Sequence, residues 1–179
     1  NATWVMTSAT LTVNEEFNYF KSHLGIEFAR ECLLESPFDY KNQALLYLPC
    51  LNVAPNDFEF EKQLLEAALP VLRASKGHAF FLFTSYKSLN AVAAIMRERC
   101  HYPLFVQGDA PRNEILKKFQ KSPHAVLLGT STFWEGIDVR GQQLSLVIID
   151  KLPFSPPTDP ITEARIARLL EGGENPFEK

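Results

Sequence analysis

Cysteine is scarce in this chain: Cys32, Cys50 and Cys100 are its only thiols, far apart and without any Cys-x-x-Cys spacing. An odd, dispersed set excludes a disulfide framework and fits a reducing compartment, so a cytoplasmic location is expected. The histidines His23, His78, His101 and His124 are equally scattered, which leaves no metal-ligand spacing and no Ser-His-Asp set. No apolar stretch approaches the ~20 residues that cross a bilayer, and no charged-then-apolar leader opens the chain, so no membrane partner is expected. Neither Gly-x-Gly-x-x-Gly nor Gly-x-x-x-x-Gly-Lys-Ser/Thr occurs, and no Asp-Glu pair is present to hold magnesium. The chain by itself therefore has no cradle for β- and γ-phosphates. Nor is there an excess of basic residues: 18 Lys and Arg against 21 Asp and Glu leave a net charge of -3. Any contact with a polyanion must come from a local groove rather than a global field.

What is present is a core. With 179 residues, 46% of them hydrophobic, the chain suits one domain. A globular chain of that size buries roughly 70% of its unfolded surface. Strands are predicted at residues 4–6, 31–35 and 45–48, with Asn14 capping a helix that carries Phe17, Phe20 and Leu24 before Gly25 stops it. Ser36-Pro37-Phe38-Asp39-Tyr40 reads as a loop. From Asp57 a helix stripes Leu64, Leu65, Ala68, Leu69 and Leu72 along one face, with Pro70 set to kink or break it. The unbroken apolar run at 79–83 predicts a strand buried on both faces, followed by a helix through Leu89, Val92, Ala93 and Met96 with Ser85 as its cap. A strand at 104–106, a helix around Ile115, Leu116 and Phe119, strands at 125–128 and 144–149, and a last helix from Asp159-Pro160 to Gly172-Gly173 complete the alternation. That order implies an α/β fold: a mainly parallel sheet with right-handed crossovers and helices on both faces.

The segment after residue 128 carries the densest chemistry. Gly129-Thr130-Ser131-Thr132-Phe133-Trp134-Glu135-Gly136-Ile137-Asp138-Val139-Arg140-Gly141 places hydroxyls, two acids and close-set glycines at the carboxyl end of a buried strand, where open α/β sheets gather ligands. Together with Thr7-Ser8-Ala9-Thr10-Leu11, Ser36-Pro37-Phe38-Asp39-Tyr40 and Phe81-Leu82-Phe83-Thr84-Ser85-Tyr86, it occurs in an order and spacing that resembles superfamily 2 DNA helicases of the DinG and XPD iron-sulphur type. The match spans nearly the whole chain and is nearest to the bacterial DinG-like subgroup. The resemblance implies a three-layer α/β/α RecA-like (P-loop NTPase-like) domain: residues 1–28 as the last segment of motor domain 1 with its connector, and 29–179 as the second motor domain. The arginine-finger segment, Gln-x-x-Gly-Arg-x-x-Arg, would lie beyond Lys179.

Roles follow from the same resemblance. Glu135 and Asp138 would be the catalytic acids, with Gly136, Asp138 and Arg140 on the nucleotide. Ser85, Tyr86, Gly108, Thr130 and Ser131 would touch single-stranded DNA, and Thr7, Ser8 and Thr10 would couple nucleotide state to movement. ATP and Mg2+ would be shared with motor domain 1, and a 4Fe-4S cluster would belong to the parent enzyme only, since ligands to such clusters come as closely spaced thiolates. The same residues also admit plainer roles. Strand-end hydroxyls satisfy local turns, Ser85 caps a helix without any ligand, and Gln107-Gly108-Asp109 suits an ordinary turn before a helix. Two other functions stay open: a non-catalytic Rossmann-like nucleotide-binding module, and a protein-interaction module whose last helix and acidic tail dock a replication or repair partner.

Overall fold

The computed structural model describes residues 3–133, 137–139, 141–154, 159–173 and 175–176. It divides into two compact units, Asn1–Leu48 and Pro49–Lys179, each described by itself.

In the first unit the described residues form two short helices, α1 (Asn18–Leu24) and α2 (Tyr40–Gln43), and none of them is buried. Gly25 ends α1 as expected: its φ of +65° lets its N–H reach back to the carbonyls of Lys21 and Ser22. Asn14 does not cap the helix. It and Glu15 take φ of +52° and +66° in a tight turn closed by the Val13–Glu16 bridge, and α1 starts after Phe17 without a side-chain cap. The strands expected at 4–6, 31–35 and 45–48 do not form either. A strand is completed by its neighbour's hydrogen bonds. Among the described residues these segments have no such neighbour, and Val5, Leu34 and Leu45 are 82%, 82% and 92% exposed. The loop predicted at 36–40 is present and runs into α2 at Tyr40.

The second unit runs α3 (Phe60–Ala74), β1 (Ala79–Leu82), α4 (Tyr86–Arg99), β2 (Leu104–Val106), α5 (Arg112–Lys121), β3 (Val126–Gly129), β4 (Leu146–Ile149) and α6 (Pro160–Glu171), with a 3-10 turn, Ser131–Phe133, after β3. Helix α3 buries the expected stripe but opens at Phe60, and it continues through Pro70. Pro70 lies on the exposed side, where the Glu66 carbonyl it leaves without an N–H partner can face water. Asp159 caps α6, its carboxylate accepting from the Thr162 N–H at 2.9 Å, with Pro160 in the first turn.

The four strands pair in parallel throughout, in the order β2-β3-β1-β4, with Leu82 opposite both Gly129 and Ile149, and Val106 opposite Leu128. Strands β1 and β3 are central and fully buried, as unbroken apolar runs require. On one face Phe81, Phe83, Val126 and Leu128 pack with α3 and α4. On the other, Phe80, Leu82 and Leu127 pack with Ile115 and Phe119 of α5 and with Ile137, Val139 and Leu144 from the β3–β4 connection. The leftward crossover, β1 to β2, thus takes one face and both rightward crossovers take the other, which is what a single crossover hand demands. The architecture is three-layer α/β/α.

Candidate nucleic-acid interface

Parallel pairing brings the carboxyl ends of β1, β2 and β3 side by side, so three loops far apart in sequence meet at one edge. From β1 come Thr84, Ser85 and Tyr86; from β2, Gln107 and Gly108; from β3, Thr130, Ser131 and Thr132. Ser85 takes extended backbone, and its Oγ accepts from the Ser88 N–H at 3.2 Å, starting α4 as a cap. Ser88 Oγ in turn donates to Glu61 Oε1 at 2.9 Å, which ties α4 to α3. The cap fixes the strand-to-helix turn, and Tyr86 is 54% exposed. Gly108 and Ser131 are exposed beside it.

Gln107 joins the three ends. Its Oε1 accepts from the Thr130 N–H at 2.6 Å and the Thr130 hydroxyl at 3.1 Å; its Nε2 donates to Tyr86 Oη at 2.5 Å and Thr132 Oγ1 at 3.1 Å. Thr130, expected to touch DNA, is only 5% exposed, and its N–H and hydroxyl are both engaged by this one amide. Arg112 Nε donates to the Thr132 carbonyl at 3.0 Å, and its guanidinium stands 5.5 Å from the centre of the Phe133 ring. This holds the 3-10 turn against the start of α5.

Asp150 does for β1 and β4 what Gln107 does for β1, β2 and β3. Its carboxylate is fully covered and accepts from the Thr84 N–H at 2.9 Å, the Thr84 hydroxyl at 3.3 Å and the Lys151 N–H at 2.7 Å. Burial raises its pKa above the ordinary carboxylate value; the hydrogen bonds from Thr84 and Lys151, and the Lys151 ammonium 3.9 Å away, pull in the other direction. The sequence offers Gln107 only as part of a loop that resembles a backbone-contacting one or suits an ordinary turn, and it gives Asp150 no role. The three-way adjacency that gives them their role depends on strand order, which no local motif encodes.

Asp138 is not among the groups that Gln107 ties together. It is exposed on the connection that runs back along α5, where its carbonyl accepts from Gln120 Nε2 at 3.3 Å. With Ile137 it lines a cavity of about 340 Å3 whose other walls are Arg112, Asn113, Leu116, Lys117 and Gln120. Glu135, Gly136 and Arg140 lie outside the described residues. Thr7, Ser8 and Thr10 belong to the first unit, where Ser8 Oγ accepts from the Thr10 N–H at 3.2 Å.

The residues present do not fit an iron-sulphur cluster, which takes four thiolates where this chain has three separated cysteines. Among the described residues no three His, Cys, Asp or Glu side chains converge on a metal position. No described helix is long and apolar enough to cross a membrane.

Comparison with known proteins agrees with this architecture. Residues 68–179 match the family described as Helicase C-terminal domain. The chain is 46% identical over 176 residues to the ATP-dependent DNA helicase YoaA of Haemophilus influenzae, covering 98% of this chain and 28% of that protein. It is 42% identical to YoaA of Escherichia coli over the same shares. It is also 32% identical over 184 residues to a protein named 3'-5' exonuclease DinG in Bacillus subtilis, covering 97% of this chain and 20% of that one. A four-stranded parallel sheet sandwiched by helices, with this sequence match, makes the chain a member of the helicase C-terminal domain family, of the RecA-like kind found in YoaA and DinG proteins.

Proposed function

We propose that the chain is the second motor domain of an ATP-dependent DNA helicase, with residues 1–28 as the last segment of motor domain 1 and its connector. In this reading it forms half of an ATP cleft and holds the backbone of single-stranded DNA. The observation that carries the reading is the convergence of Tyr86, Gly108, Ser131 and Thr132 on one polar, exposed strand-end surface. An aromatic ring there can stack on a base, and hydroxyls and N–H groups beside it can take phosphate oxygens without reading sequence.

Glu135, Gly136, Asp138 and Arg140 form the nucleotide side of the domain in this reading. Support comes from Asp138, whose exposed carboxylate shares a cavity with Arg112 and Lys117, cations of the sign that triphosphate oxygens need. ATP would lie between this domain and motor domain 1, and hydrolysis would change which relative arrangement of the two is favoured. Alternating grip on phosphates would turn that closure into steps. Thr7, Ser8 and Thr10 would carry the coupling.

The test uses the chain itself and a longer protein of the relatives' length. Fluorescence anisotropy with a labelled oligothymidylate should give weak binding that falls with salt. Each phosphate that pairs with a Lys or Arg contributes about −0.7 to the log–log slope, whereas neutral hydroxyl and N–H contacts add nothing to it. Steady-state assay of the chain should give no ATP turnover, whereas Asp138→Ala in the longer protein should abolish turnover and leave the melting temperature unchanged. Turnover by the chain alone, or no oligonucleotide binding at low salt, would overturn the reading.

A further inference from the structure

We infer that Gln107 is a positioning residue that sets two hydroxyls, those of Tyr86 and Thr132, as outward hydrogen-bond donors toward one phosphate of the DNA strand. The inference rests on the DNA-backbone reading above and adds to it the residue that prepares the grip.

The orientation of the Gln107 amide follows from its partners. A backbone N–H can only donate, so the corner 2.6 Å from the Thr130 nitrogen must be the amide oxygen. The other corner is then the NH2 group, which can only donate, and it meets Tyr86 Oη at 2.5 Å and Thr132 Oγ1 at 3.1 Å. Each hydroxyl therefore spends a lone pair inward and keeps its own proton for a further partner. With about 120° between the two amide hydrogens, the hydroxyl oxygens are roughly 5 Å apart, a span that two oxygens of one phosphate can bridge. An anionic acceptor is the natural occupant, because both groups facing it donate. Thr130 has the opposite character. It is 5% exposed and gives both its donors to Gln107, so it anchors the amide. The amide plane is held at three strand ends at once, and turning it would break bonds on both of its corners.

The test compares this chain with Gln107→Met, Tyr86→Phe and the double variant, by anisotropy on an oligothymidylate with melting curves alongside. Gln107→Met should raise Kd about tenfold or more, the range for hydrogen bonds to a charged group. Its log–log salt slope should match the parent's, because no charge is removed. Tyr86→Phe should weaken binding in the parent background and add nothing in the Gln107→Met background. If Gln107→Met does not fold, Gln107→Glu takes its place. It keeps an acceptor for Thr130 but turns both hydroxyls inward, so it should melt near the parent and bind weakly even at salt high enough to screen its charge. Parent-like Kd in either folded variant, or fully additive effects in the cycle, would overturn the role of Gln107. Failure of the unsubstituted chain to bind would instead sink the DNA-backbone reading itself, and this inference with it.

Discussion

The two edges of the sheet are closed by different means. At the carboxyl edge, side chains span the gaps between strands, the Gln107 amide across β1, β2 and β3 and the Asp150 carboxylate between β1 and β4. At the amino edge the backbone does most of the work. Lys76, Gly77 and His78 take left-handed φ of +55°, +76° and +49°, His124 takes +60°, and the His78 carbonyl accepts from the N–H groups of Ser145 and Leu146. His124 Nδ1 lies 2.9 Å from the Lys76 carbonyl and 3.1 Å from His78 Nε2, which ties the turn before β1 to the turn before β3. A joint made of backbone leaves no side-chain group over, whereas the Gln107 joint leaves the Tyr86 and Thr132 hydroxyl protons for a further partner. The first suits a fixed base and the second a surface that, in the proposed reading, meets the DNA strand.

The same substitution at each edge tests that difference. A Cβ on Gly77 would sit 2.1 Å from the His124 carbonyl oxygen and 2.7 Å from its carbon, in a left-handed conformation besides. Neither obstacle can rotate away, so Gly77→Ala should cost about 2–5 kcal/mol in chemical denaturation, left-handed strain and overpacking together. Oligonucleotide affinity of the molecules that remain folded should be unchanged. A Cβ on Gly129 would instead lie 2.8 Å from Phe133 Cβ and Cγ, against a side chain. Gly129→Ala should cost less, about 1–3 kcal/mol. Its displacement, however, travels into the 3-10 turn that presents Thr132, so DNA affinity should fall in the folded fraction. Equal affinity losses from the two variants would erase the distinction between the edges.

These edges also mark what the sequence could and could not reveal. Strands β1 and β3 were legible because a strand covered on both faces must be apolar at every position, and Phe80, Phe81, Leu82, Val126, Leu127 and Leu128 are. Ser85 was legible as a cap, and Asp159-Pro160 as a helix start, because such signals are local, three residues from acceptor to donor. The segments at 31–35 and 45–48 carry the same kind of apolar residues without a neighbour to pair with, and a pattern read along the chain cannot tell the two cases apart. The candidate site divides in the same way. Tyr86, Gly108 and Ser131 are expected from family motifs, each within one loop, while the contacts of Gln107 exist only because the order β2-β3-β1-β4 sets three loop ends around it. Asp150 directly follows the strand predicted at 144–149, yet nothing along the chain says that its carboxylate is covered.

That covered carboxylate gives the smallest effect, and its sign discriminates. Burial raises the Asp150 pKa above the ordinary 3.8, so between that value and the folded one the native state holds a proton that the unfolded chain has released. The group's contribution to stability is therefore fully present below the unfolded value and is lost as pH rises through the folded one. Asp159 behaves in the opposite sense: the N–H and hydroxyl of Thr162 lower its pKa, so its contribution is present above the unfolded value and is lost as pH falls through the folded one. In Asp150→Asn the amide oxygen still accepts from the N–H groups of Thr84 and Lys151, and the Thr84 hydroxyl turns to accept from the new NH2. Melting temperatures of parent and variant should therefore lie close together in acid and separate in the variant's favour toward neutral pH. If the variant instead loses ground as pH rises, the ionised carboxylate is a net stabiliser of the β1–β4 joint, held by hydrogen bonds strong enough to outweigh its burial. Charged side chains would then close the carboxyl edge as firmly as backbone closes the amino edge.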